Sequence, residues 1–355
     1  MSTESSAVVD ALATWVCRRL PALNTAAREG EDAALSALLS EGGARAMRLD
    51  ADTAQEIDSR ARAIAIGDIG MIIASAIRHG VPESDERVTP MIQHVAALAR
   101  TTDHPPRDSI YTYILWNGIE GRGLRLFTDH PFEVEFVRAS ATALAHYRVA
   151  ADACREIDLR ASDAFERLER ATNALTSVRA QYQSMFERFH AERPAWFRDD
   201  YKAYFPSFVV DGTRYDPPSG ANAADVLELD LMVGSSDEQY RHHIEGRLHN
   251  LISADRHRLD VAMTRPSIAA QMEVSADIAS ENLRQLGTLL RLMSQAAAAH
   301  FALIHSYLVP PGTGPARAES ATVMSYGEVF RIMNLRLHNK LLDQIDARLR
   351  AIGPK

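Results

Sequence analysis

Between Phe132 and His190 the chain runs for almost sixty residues without a proline or a glycine. At about 1.5 Å rise per residue, such a stretch predicts one or two very long helices. A chain that must place helices of this length needs other helices to cover their apolar stripes, so the fold is expected to be all-α and bundle-like.

The rest of the sequence has the same texture. Residues 53–79 read as a helix with a weak point near Gly67 and Gly70, ended by His79-Gly80-Val81-Pro82. Met91, Val95, Leu98 and Ala99 give a further helical stripe, and Pro106 followed by Asp108 suggests a helix start after His104-Pro105. Helical patterns resume over 222–260, again as one long run over about 269–308, and finally over about 323–350. The exception is the stretch 204–220, where Asp211-Gly212 between Phe208-Val209-Val210 and Thr213-Arg214-Tyr215 predicts a small hairpin. The expected architecture is a single large helical domain with at most one small hairpin. Residues 1–52 read as an N-terminal helical extension to residues 53–355.

Composition removes several classes of function. The formal net charge is −8, with acidic residues interleaved among the arginines, which argues against binding nucleic acid through phosphate neutralisation. No apolar run approaches the roughly 20 residues that span a bilayer, and the first twenty residues lack the pattern of a secretory leader. A cytoplasmic protein is therefore expected, with no membrane partner. Two cysteines, Cys17 and Cys154, form no CxxC pair, so neither a disulfide framework nor a cysteine zinc site is indicated. Phosphate-binding, dinucleotide-binding and nucleophile-elbow motifs are all missing from the sequence.

Histidines remain the candidates for chemistry. Leu283, Leu286, Leu290, Met293, Ala297, His300, Ile304 and Tyr307 step by three and four, which turns His300 toward the core side of its helix and leaves His305 off the stripe. Four alanines precede His300. That floor suits a flat ligand or a close helix crossing, so the pattern alone leaves His300 either a core residue or a ligand. His242, Glu245 and His249 share a helical face, but positions i and i+7 lie about 10.5 Å apart along a helix axis. A solvated polar face is the expected reading there.

Several stretches, in order along the chain, resemble one family. They are Gly67–Gly80, Leu98–Gly118, Tyr201–Ala221, Leu227–Arg241 and the helix bearing Ala298–Leu303. Together these pieces resemble the monodechloroaminopyrrolnitrin synthase family of pyrrolnitrin biosynthesis, within the superfamily of the tryptophan and indoleamine 2,3-dioxygenases. The resemblance implies an all-α fold enclosing haem b, with His300 as the proximal iron ligand. It implies an enzyme of secondary metabolism and antibiotic biosynthesis that oxidises tryptophan or a substituted tryptophan. Its partners would be the aromatic amino acid, O2 and an electron donor that keeps the haem ferrous; an oligomer is left open. Trp116 and Asn117 match a Trp-Asn pair of the family and are candidates for the distal pocket, as are Thr313 and Ser320 on the loop after the proximal helix. That loop lacks the Gly-Gly the family would place there. No catalytic residue is assigned. Two alternatives share the scaffold: a haem-dependent hydroxylase of tyrosine or a related phenol, and a non-catalytic haem- or ligand-binding protein.

Overall fold

Asp58 decides where the long helix in the region 53–79 begins: its carboxylate accepts from the Ala61 amide at 3.0 Å, and the helix runs unbroken over Ser59–Arg78. The computed structural model describes residues 3–118, 123–189, 195–275, 277–308 and 325–352. Among these the α-helices are α1 Thr3–Arg18, α2 Leu20–Arg28, α3 Asp32–Ala37, α4 Gly43–Ala46, α5 Ala51–Gln55, α6 Ser59–Arg78, α7 Thr89–Ala99, α8 Pro131–Cys154, α9 Ala164–Phe189, α10 Ala224–Val233, α11 Glu238–Glu245, α12 Ser253–Thr264, α13 Ile268–Val274, α14 Ser280–Leu308 and α15 Ser325–Ile352. The all-α reading holds. Among the described residues, no helix is long and apolar enough to cross a membrane.

The chain groups into two compact units. Unit 1 comprises residues 1–138, 198–222 and 249–253; unit 2 comprises 139–197, 223–248 and 254–355.

In unit 1, α6 is the central element. Every residue from Ala63 to Ala76 is buried, which is the pattern of a helix covered on all sides rather than of an amphipathic surface helix. Residues 3–55, ahead of it, supply part of that cover, since Leu12, Val16 and Leu20 are fully withdrawn from solvent. Asn24 on α2 donates from its amide to Ser75 Oγ at 2.9 Å and to the Phe127 carbonyl at 2.8 Å. The two glycines of α6 do not interrupt it. A Cβ at Gly70 would run into the main chain of Arg107 and Asp108, and one at Gly67 into the side chain of Thr112. Both positions let the segment 107–112 lie against the helix backbone.

That segment departs from expectation. No helix starts at Pro106: Arg107 and Asp108 are buried and paired at 2.9 Å, and Arg107 Nη1 donates to the carbonyls of Pro206 and Tyr215. With Asp108 held by a guanidinium rather than capping amides, the turn tightens only from Ile110, and a short wide helix covers Tyr111–Leu115. The hairpin appears as expected. β1 Phe208–Val210 and β2 Thr213–Tyr215 pair antiparallel with Val210 opposite Thr213. Asp211 and Gly212 both take positive φ, 49° and 76°, as a two-residue turn matched to strand twist requires.

In unit 2 the almost sixty-residue stretch resolves into α8, which starts in unit 1, and α9. The run over 222–260 is three α-helices, with a 3-10 helix at Leu248–Asn250 before the last of them. Gly234 ends α10 at φ 96°, with Ser267 and Ala269 where its side chain would be, and the Asp237 carboxylate caps α11. The run over 269–308 is two helices, because Ser267 caps α13 and Ser275 ends it in extended conformation. α14 packs on α9, tied by Arg179 to Gln295 at 2.7 Å and Gln285 to Thr172 at 3.0 Å.

Candidate functional site

The stripe predicted on α14 is buried over most of its length. Leu283, Leu286, Leu290, Met293, Ala297 and Tyr307 are withdrawn from solvent, while His300 is half-buried. Its imidazole lies flat against the Tyr182 ring of α9, with centroids 4.9 Å apart and planes 9° apart. On the preceding turn Ala296 and Ala297 are buried and Ala298 faces outward. One face of the ring is therefore covered by Tyr182, the side chain is partly open, and the preceding turn carries alanines. The side chain of His305 lies outside what the structure describes, as do Thr313 and Ser320 with the whole of residues 309–324.

Among the described residues no group of three or more His, Cys, Asp or Glu side chains is placed to hold a bare metal ion. The polar face at 242–249 agrees: His242 and Glu245 have side chains 87% and 59% exposed, and His249 instead contacts the Arg214 carbonyl at 3.0 Å. His300 remains as a single nitrogen donor. A half-buried imidazole, stacked on a tyrosine ring and following a run of alanines, has the donor chemistry that a porphyrin's axial ligand needs. The residues present fit the group.

Trp116 and Asn117 belong to unit 1. Trp116 sits in a nest of Tyr111, 5.4 Å away between centroids, His104 at 6.2 Å and the Arg60 guanidinium at 5.3 Å. Burial pushes the His104 imidazole down to about 4, so it is neutral and bridges the Pro105 carbonyl and the Ser109 hydroxyl. Asn117 donates to the carbonyls of Tyr113 and Arg125, each at 2.9 Å, and accepts from the Arg125 amide at 2.7 Å. Its amide is committed to the main chain, closing the loop beneath Trp116.

Polar groups that motif reading missed lie close by in unit 1. Arg125 pairs with Asp68 of α6 at side-chain exposures of 1% and 0%. Glu133, in the first turn of α8, accepts from the amides of Phe127 and Thr128 and from the hydroxyls of Thr128 and Tyr113. Tyr113 is in turn 2.8 Å from the Tyr201 hydroxyl. Burial raises the Glu133 carboxyl to about 7 against the lowering effect of these donors and lifts both phenols well above their ordinary range. In unit 2 the stretch 227–241 contributes a comparable cluster: Asp230 accepts from the Tyr240 hydroxyl, and the buried His338 imidazole of α15 comes within 3.5 Å of its other oxygen. Sequence offered one signal for these groups, a charged residue inside an otherwise apolar helical or aromatic stretch.

The ordered pieces that suggested a family are thus distributed over both units, on helices, the hairpin and the segment beneath α6. The family model described as monodechloroaminopyrrolnitrin synthase PrnB matches residues 5–352, and the chain belongs to that family.

Proposed function

We propose that this protein is a haem-dependent oxygenase of tryptophan or a substituted tryptophan in antibiotic biosynthesis, with His300 as the proximal ligand of haem b. Membership of the synthase family over residues 5–352 carries the reading. The half-open imidazole of His300 against Tyr182 supports the choice of ligand. Residues 53–355 are read as the haem-binding part of the chain, with residues 1–52 ahead of it, and the protein as cytoplasmic.

Haem in this place would supply the redox chemistry of its iron, with O2 as oxidant and an external electron donor. The chain's part is to hold, orient and exclude water. His300 offers one ring nitrogen, and Tyr182 restricts rotation of the imidazole about its own bonds by covering one face. The alanines ahead of His300 leave a surface with no polar group to draw water toward a ligand ring. An aromatic amino acid would be the substrate, and Trp116 and Asn117 are read as candidates for its pocket from their match to the family's Trp-Asn pair. Thr313 and Ser320 are read as hydroxyl donors on the loop after α14.

The absorption spectrum of the purified protein under dithionite, with and without L-tryptophan, tests this. A Soret band that shifts on adding the amino acid is expected, and His300→Ala should lose stoichiometric haem. A His300→Ala variant with an unchanged Soret band would overturn the ligand assignment. Turnover of tyrosine alone would overturn the substrate, and a spectral response without oxygen consumption would overturn the enzyme.

A further inference from the structure

Unit 2 holds a cavity of about 280 Å³ that shares no residue with the stack of His300 on Tyr182. Its walls follow from helical spacing. Arg258, Val261 and Ala262 come forward on one face of α12 at positions i, i+3 and i+4, and Glu228 and Met232 of α10 stand at i and i+4. α8 stops at Cys154, and Glu156 turns the chain in left-handed conformation at φ 61°, which brings Cys154, Arg155 and Ile157 to the same space.

The charged groups of this lining are matched to one another. Arg155 holds Glu228 through Nε and Nη2, each at 2.9 Å, and Asp152 through Nη1 at 2.7 Å. Arg258 donates through Nη1 to Asp225 and Glu228 and through Nε and Nη2 to Asp255. Every guanidinium nitrogen of the two is thus engaged by a carboxylate, and both oxygens of the buried Glu228 accept from arginine. Arg148 also pairs with Asp152 and Asp225, so three cations stand against four carboxylates. An anionic ligand finds no cation in want of a partner, and an amine finds Glu228 taken. At the exposed rim Arg265 pairs with Glu156 at 2.7 Å, and Gln271 spends its amide on the main chain of Ile157 and Leu159.

What such arginines can still offer is the flat face of a guanidinium, which stacks on aromatic rings. The wall between them is apolar, formed by Ile157, Met232, Val261 and Ala262. Burial pushes the Cys154 thiol up to about 12, so it adds no charge. We propose that this cavity is a second binding site, for one flat, uncharged aromatic molecule of one or two fused rings. Its volume lies at the small end of small-molecule sites, which run from about 300 to 1,000 Å³. Met232 has the unbranched thioether that adjusts to a ring, and removal of the ring from water drives the binding.

Calorimetric titration of the full-length protein with indole tests the site. Indole is uncharged, whereas indole-3-acetate and tryptamine add a charge of either sign to the same ring. Saturable binding of indole with a Kd below about 1 mM is expected, with both charged analogues weaker by about tenfold or more. Val261→Trp, at a half-exposed wall position, should fill the cavity and abolish this binding. Arg155→Lys keeps a cation beside Glu228 but removes the flat face, and should weaken indole about threefold to tenfold with an unchanged circular dichroism spectrum. His300→Ala should leave the titration intact, which separates this site from the proposed haem site. The proposal is overturned by any of three results: no saturable binding below 1 mM, equal or tighter binding of either charged analogue, or indole binding that survives both cavity variants or vanishes with His300→Ala.

Discussion

Arg125 and Asp68, 57 residues apart in sequence, form an ion pair with both side chains essentially free of solvent. The Arg125 main chain is also held, by Asn117, so the pair ties Arg125 and Asn117 to the middle of α6. Breaking such a pair from one side leaves an uncompensated buried charge. Asp68→Ala is expected to destabilise the protein by about 3–5 kcal/mol, read from the urea midpoint. Replacing both residues together, Asp68→Leu with Arg125→Met, should recover much of that loss, and equal losses in the single and double variants would refute the account.

Glu133 predicts a pH dependence with a definite sign. Its carboxyl is raised from 4.5 to about 7 by burial, so the folded protein holds the proton across a window in which the unfolded chain has lost it. The stabilising contribution is complete below about 4.5 and is lost as pH rises through about 7. Glu133→Gln, which cannot ionise, should therefore gain stability relative to the unaltered protein between pH 4.5 and 8, by about 3 kcal/mol in total. Denaturant melts at a series of pH values measure the difference. A flat difference across that range would show that Glu133 is not perturbed.

Gly70 has no room for a methyl group, because main-chain atoms of Arg107 and Asp108 occupy that space. Main chain on a central helix yields little, so Gly70→Ala should cost at least about 2–3 kcal/mol despite alanine's better helix propensity. A thermal melt of this variant at or above the parent's midpoint would contradict the close approach.

Asn117→Ala separates a structural role from substrate contact. The side chain makes three hydrogen bonds to main-chain groups, and removing them should lower stability by about 2–3 kcal/mol. Any rise in KM should then be matched by a lower melting temperature. A variant that melts normally yet binds substrate weakly would move Asn117 into the binding surface.

Legibility followed the range of the forces involved. The hairpin was readable because Asp211 and Gly212 carry their own backbone preference, and the stripe on α14 because helical period is a local property. The helix expected from Pro106 was not. Asp108 looks like a capping residue in sequence, and nothing nearby reveals that Arg107 will take its carboxylate and reach residues a hundred positions later. Likewise, Gly67 and Gly70 read as weak points in a helix, yet they mark where another segment lies against it. Glu133 resembles any acidic residue in a first helical turn; its burial depends on Tyr113, Tyr201 and Phe127, which only the folded chain assembles. His300 was selected by periodicity and family resemblance together, and its stacking partner Tyr182, on another helix, was invisible to both.

Unit 1 is stitched from three stretches, and the last of them is fastened by Asp103 accepting from the amide and hydroxyl of Ser253. A growing polypeptide cannot finish this unit when its first 138 residues leave the ribosome. Arg107 must wait for the Pro206 and Tyr215 carbonyls, and Asp103 must wait longer still. Until the turn Lys202–Tyr204 has emerged, the wall of α6 that it covers stays bare, so arrested chains of intermediate length are the species most in need of a chaperone.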